Sequence, residues 1–141
     1  MSNSTIVIST EDESQYVRSK LKEYNAQHVP DEIRSRYERI NLHIANEEGD
    51  IIAGLMSVLC WNWVEVEILW VDAQHRIHGY GSKLLQEIER IARAKQCSFL
   101  KLNTFSFQAP DFYRKHGFEL IGLFDNAPTG HKHYYFKKDL T

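Results

Sequence analysis

Between Val64 and Ala92 the hydrophobic period of the chain changes from two to that of a helix, across a short stretch with two glycines. In the first half, Val64, Val66, Ile68 and Trp70 alternate with Glu65, Glu67, Leu69 and Val71, as on the two faces of a strand. From Gly81 onward, Leu84, Leu85, Ile88, Ile91 and Ala92 recur at helical spacing, which predicts an amphipathic helix to about Lys95. The segment between, Asp72 to Ser82, must therefore join a strand end to a helix start. A strand feeding a helix in this way predicts an α/β layout.

The remaining segments extend that layout. Thr5–Ser9 is β-branched and predicts a first strand. Thr10, followed by acidic residues with Glu13 three positions on, forms a capping-box pattern ahead of Tyr16, Val17, Leu21 and Tyr24. Pro30 interrupts this pattern and is a candidate first residue of a short second helix. Ile40–Ala45 and Ile51–Cys60 flank a Glu-Glu-Gly-Asp turn and predict a hairpin, with a third meandering strand over Val64–Val71. Ser98–Asn103, Phe118–Leu123 and Tyr134–Lys138 predict strands, and Pro110–His116 a short helix stopped by Gly117. No repeat or linker interrupts residues 1–141, so one domain with a mixed sheet is expected.

Composition narrows the function. A net charge of -2 with no Lys/Arg stripe gives no electrostatic basis for nucleic-acid binding. No apolar run approaches membrane-spanning length, and the N-terminus lacks the pattern of a signal peptide. Cys60 and Cys97 lie far apart and form no CxxC motif, as in a reduced compartment. A cytoplasmic protein without membrane or nucleic-acid partners is expected. His131 and His133 share a strand face, but no third ligand accompanies them, so no metal is expected. Trp61, Trp63 and Trp70 either line a pocket or pack.

The bend Arg76-Ile77-His78-Gly79-Tyr80-Gly81-Ser82 is where chemistry concentrates. A loop entering a helix directs unpaired N–H groups and the positive end of the helix dipole towards one point, where phosphates bind. Gly79 and Gly81 permit close approach, and Arg76 can add a charge-assisted contact. The stretch is not a P-loop, since no Gly-Lys-Ser/Thr follows at the required spacing; nor is it a dinucleotide fingerprint, since Leu84 occupies the third glycine position.

Arg76-Ile77-His78-Gly79-Tyr80-Gly81 resembles the Arg/Gln-x-x-Gly-x-Gly/Ala motif of the GNAT superfamily of acyl-CoA-dependent N-acyltransferases. Phe112-Tyr113-Arg114-Lys115-His116-Gly117-Phe118 is similar to its second signature, aromatic-Tyr-x-x-x-Gly-Phe, and Asn103–Pro110 resembles a group of small bacterial members. The resemblance covers essentially the whole chain in element order. It implies a mixed, mostly antiparallel sheet of about seven strands flanked by about four helices. It also implies acetyl-CoA as co-substrate, held by the backbone of His78, Gly79, Tyr80, Gly81 and Ser82, with Arg76 and Ile77 at the edge. The pantetheine arm would run beside Leu69, Trp70 and Val71. The implied reaction is direct acetyl transfer, in a ternary complex, to a primary amine of a small molecule or peptide.

Within that resemblance, Tyr113 matches the tyrosine beside the cofactor sulfur and is the expected proton donor to the leaving thiolate, with a backbone N–H near Leu69 stabilising the oxyanion. Glu65 and Glu67 are the candidate bases, and their charge favours a cationic acceptor; many members lack an identifiable base. The slot seven residues before Tyr113, where members often carry a pantetheine-binding Asn, holds Ser106 here, with Asn103 and Gln108 nearby. Many relatives pair, so a homodimer is admitted. Two other readings stay open on sequence alone: a non-catalytic CoA-binding sensor or interaction module, and a site for another phosphorylated ligand such as a nucleotide.

Overall fold

The computed structural model describes residues 4–141. They fall into two compact units, residues 4–35 and Arg36–Thr141.

In the first unit, α1 (Glu11–Ala26) begins at the predicted capping box. Thr10 Oγ1 accepts from the Glu13 N–H at 3.3 Å, and the Glu13 carboxylate accepts from the Thr10 N–H at 2.8 Å. These bonds satisfy two of the amides that a helix start leaves unpaired. Thr5–Ser9 does not form the predicted strand: it has no ladder partner among the described residues. A β-branched run favours a strand only where a neighbouring strand offers its edge. Nor does a helix follow Pro30; a single bond from the Ile33 N–H to the Pro30 carbonyl closes one turn before the next strand starts at Tyr37.

In the second unit, six strands form one sheet in the order β1-β2-β3-β4-β6-β5. Their ranges are β1 Tyr37–Ala45, β2 Ile51–Cys60, β3 Trp63–Val71, β4 Phe99–Phe105, β5 Glu119–Asp125 and β6 Lys132–Asp139. All pairs are antiparallel except β3 with β4. The helix α2 (Tyr80–Ala94) connects these two parallel strands, and α3 (Pro110–Lys115) follows β4. This is the mixed α/β fold expected from the resemblance, with six strands among the described residues.

One face of the sheet carries the core. Leu55, Leu59, Val64, Val66, Leu100, Leu102 and Phe136 are buried there with Leu84, Leu85, Ile88 and Ala92 of α2. The helical stripe read from sequence is thus the face that docks. Burying such side chains contributes about 1.5–3 kcal/mol each.

The strand β3 departs from simple alternation. Ser57 of β2 pairs with Val66, but the next residue, Met56, pairs with Ile68, so Glu67 is bulged out of the ladder. A bulge inserts one residue and shifts the alternation that follows. Glu65 therefore shares its face with Ile68 and Trp70, whereas Val64 and Val66 share theirs with Leu69 and Val71. The expected face of Glu65, Glu67, Leu69 and Val71 does not exist for this reason.

An unpredicted 3₁₀ helix, Ala73–His78, fills the approach to the bend. Its start is held by Asp72, whose carboxylate accepts from the Gln74 N–H at 3.2 Å and lies 2.8 Å from His75 Nδ1. Gly79 ends this helix and caps α2 in the left-handed region, at φ 76°. A side chain at that φ costs about 1–2 kcal/mol. Gly79→Ala is expected to lower the unfolding free energy by about that amount, read as a lower urea midpoint with unchanged slope.

Candidate active site

The parallel pairing of β3 and β4 runs only from Trp63/Phe99 to Val66/Leu102. Beyond it, β3 continues to Val71 and β4 to Phe105 without pairing, so the strands part. A cavity of about 610 Å³ occupies the opening and extends to the start of α2. That volume is typical of a small-molecule or cofactor site.

Of the residues singled out from sequence, Glu67, Leu69, Trp70, Val71, Arg76, Gly79, Gly81, Ser82 and Tyr113 line this cavity. The bend and Tyr113 thus meet in one space, although 31 positions separate Ser82 from Tyr113. Arg76 is placed by a 3.4 Å bond from its Nε to the Val71 carbonyl. A Cβ on Gly81 would sit 3.3 Å from the Phe112 ring and 3.6 Å from Val71 Cγ2, so glycine lets helix, strand and α3 close together. Ser82 Oγ lies 2.9 Å from His116 Nε2, which ties the first turn of α2 to the end of α3.

Other expected residues lie outside the cavity lining. Ile77 is exposed, and His78 and Tyr80 contact each other and His75 through their rings, with Tyr80 packed against the core. Their backbone amides, not their side chains, were the expected contacts. Glu65 sits within the paired part of the sheet, opposite Lys101. Ser106 is engaged with β6: its Oγ accepts from the Lys132 N–H at 3.1 Å and lies 3.3 Å from His131 Nδ1. Trp61 and Trp63 pack edge to face, and Trp63 stacks on Phe99, leaving only Trp70 of the three tryptophans at the cavity.

The cavity also takes in residues to which sequence reasoning assigned no role, among them Thr104, Phe107 and Phe112. Asn103 and Gln108, noted only as neighbours of Ser106, line it as well. Gln108 Oε1 accepts from the Phe105 N–H and from Thr104 Oγ1, fixing the turn after β4. The run Asn103–Pro110 held this signal, but only the parting of β4 from β3 decides which of its side chains reach the opening.

Electrostatics differ across the site. Tyr113 is buried, and burial pushes its hydroxyl above the usual phenol range, so it keeps its proton. Glu67 pairs with Arg39 at 3.0 Å across the sheet. The described residues contain no group of three or more His, Cys, Asp or Glu able to hold a metal. No helix among them is long and apolar enough to cross a membrane.

A strand pair that parts over a glycine bend, with a proton-holding tyrosine across the gap, defines a site for a phosphate-bearing acyl carrier. Comparison with known proteins agrees. The acetyltransferase (GNAT) family model matches residues 8–118. A blasticidin-S acetyltransferase of Streptomyces morookaense is 34% identical over 99 residues, covering 70% of this chain and 73% of that protein. A crystal structure of an acetyltransferase from Bacillus cereus superposes with a TM-score of 0.93 at 39% identity, covering 97% of this chain and 98% of the other. A Bacillus anthracis protein assigned as a streptothricin acetyltransferase, solved in complex with acetyl coenzyme A, is 21% identical with a TM-score of 0.65, covering 80% and 69% of the two chains; at that identity the likeness is one of fold.

The chain belongs to the acetyltransferase (GNAT) family. It is an acyl-CoA-dependent acetyltransferase, and acetyl-CoA is its co-substrate.

The Ser82–His116 contact makes stability at this site depend on pH. Burial, aided by the Lys138 charge, lowers the His116 pKa below its ordinary value of 6.5. The unfolded chain then binds this proton more readily than the folded chain, so the stability is complete above pH 6.5 and is lost as pH falls through the folded value. Thermal unfolding between pH 7.5 and 5 should show a falling midpoint, and the fall should be shallower in His116→Gln.

Proposed function

We propose that this enzyme acetylates a primary amine of a small molecule or peptide by direct transfer within a ternary complex. The observation that carries the proposal is a single cavity lined by the bend, by Tyr113 and by Glu67. Bound acetyl-CoA supplies an activated acetyl thioester. The residues present fit it: a left-handed Gly79, a tightly packed Gly81 and the Arg76 guanidinium border one end of the cavity.

In this reading the backbone amides of His78 to Ser82 hold the diphosphate, and Arg76 adds charge at its edge. Leu69, Trp70 and Val71 flank the pantetheine arm, where β3 has lost its β4 neighbour. Glu67 is the base, in preference to Glu65, because it lines the cavity and Glu65 does not. It accepts the proton that the ammonium must lose before its lone pair can attack. As the C–N bond forms and the C–S bond breaks, an N–H near Leu69 donates to the carbonyl oxygen, a contribution of about 3 kcal/mol. Tyr113 donates its proton to the departing sulfur, a role suited to a hydroxyl that burial keeps protonated.

The negative charge of Glu67 favours a cationic acceptor. The relative from Streptomyces morookaense is named for blasticidin S, which makes that compound the first acceptor to test. Two free thiols, Cys60 and Cys97, support a cytoplasmic setting.

Tyr113→Phe should lower kcat by about 10²-fold or more while leaving the acetyl-CoA dissociation constant within about threefold of wild type. Glu67→Gln should lower kcat/KM at neutral pH, with part of the loss recovered at higher pH, where the acceptor amine has already lost its proton. Free-thiol release across an acceptor panel that includes blasticidin S measures both. If no amine releases thiol, the amine assignment fails.

A further inference from the structure

One face of the sheet, opposite α2, carries an aromatic column that the transfer chemistry does not use. Phe105 stacks on Phe107, with ring centres 5.4 Å apart and planes 3° apart. His133 stacks on the other side of Phe105 at 4.4 Å and 25°. Tyr135 continues the row 4.6 Å from His133, and Phe124 meets Tyr135 edge to face at 5.7 Å. At the opposite end, His131 stands edge-on to Phe107 at 5.0 Å. The column joins the cavity at Phe107, which is 58% exposed and also lines the opening.

A polar contact sits where the column meets the opening. Asn103 lines the cavity, and its Oδ1 lies 2.9 Å from His133 Nε2. An amide oxygen can only accept, so the ring carries a proton on Nε2. The amide's NH₂ end is then the end left to donate to a ligand. Glu67 and Asn103, on the two parting strands, therefore both border the opening beside a bank of stacked rings.

We infer that the acceptor carries a planar aromatic or heteroaromatic ring, seated against Phe107 at the exposed end of the column that Phe105 supports, a short chain away from the amine that is acetylated. This rests on the amine-acetyltransferase reading above. The spacing follows from the strand: Asn103 and Phe105 are two positions apart on β4, roughly 7 Å. An amine held at the opening then places a ring over the column when about four bonds separate them. Ring against ring adds an attraction beyond area burial, because the edge and face of aromatic systems carry opposite partial charge. A saturated ring of similar size has no such charge pattern.

The test compares 3-phenylpropylamine with 3-cyclohexylpropylamine as acceptors, using acetyl-CoA and free-thiol release. The aromatic amine should have a kcat/KM about five- to tenfold higher. Phe107→Leu and, separately, Phe105→Leu should pull this ratio towards one, because each removes a ring while keeping apolar bulk. Thermal stabilisation by acetyl-CoA identifies a variant that has not folded, and the wild-type ratio decides the question without it. A wild-type ratio of one or less overturns the inference, as does an unchanged ratio in folded Phe107→Leu. So does acetylation confined to amines without a ring. No thiol release with any amine would instead overturn the amine reading beneath it.

Discussion

The site depends on where β3 and β4 stop holding each other. Four paired positions, ending at Val66 and Leu102, keep the strands together; after them each strand loses its neighbour on that side. The bulge at Glu67 sits immediately past this point. A bulge bends its strand and raises the local twist, and here it coincides with the parting. An unpaired strand edge inside a protein is costly unless its polar groups find partners. A ligand with its own amide groups, running along the edge, can satisfy that need, which is why a defect in a sheet can serve as a binding slot.

The same bulge reassigns side chains. Glu67 stands outside the ladder, lines the cavity and pairs with Arg39, whereas Glu65 stays within the ladder. The bulge also returns Leu69 and Val71 to the core face, where they pack towards the buried cluster. The far end of the cavity is set by other constraints. Asp72 starts a 3₁₀ turn, Gly79 reverses the backbone, and α2 begins at the cavity, which Gly81 and Ser82 line. The core face of α2 then anchors that start, and the Ser82–His116 bond connects it to the helix that carries Tyr113.

The arrangement separates two tasks by face. The α2 side of the sheet is apolar and closely packed, and it holds the bend in place. The opposite side carries charged and aromatic groups, including the Arg39–Glu67 pair and the ring column from Phe107 to Phe124.

Local signals in the chain determined much by themselves. The capping box at Thr10, the helical stripe from Leu84 to Ala92, the hairpin strands and the two glycine-bearing signatures all rest on contacts within a few residues, so they were readable in order along the chain. Only the tertiary structure decided three things. Thr5–Ser9 needed a neighbouring edge to become a strand, and it pairs with none among the described residues. The bulge at Glu67 arises from register with β2, since period-two alternation in β3 looks the same with or without it. The choice of Asn103 and Phe107 over Ser106 as cavity residues depends on how β4 leaves β3 and turns beside β6. Each is a property of pairing between distant segments, where the energy lies in ladder bonds and packing that no short window of sequence contains.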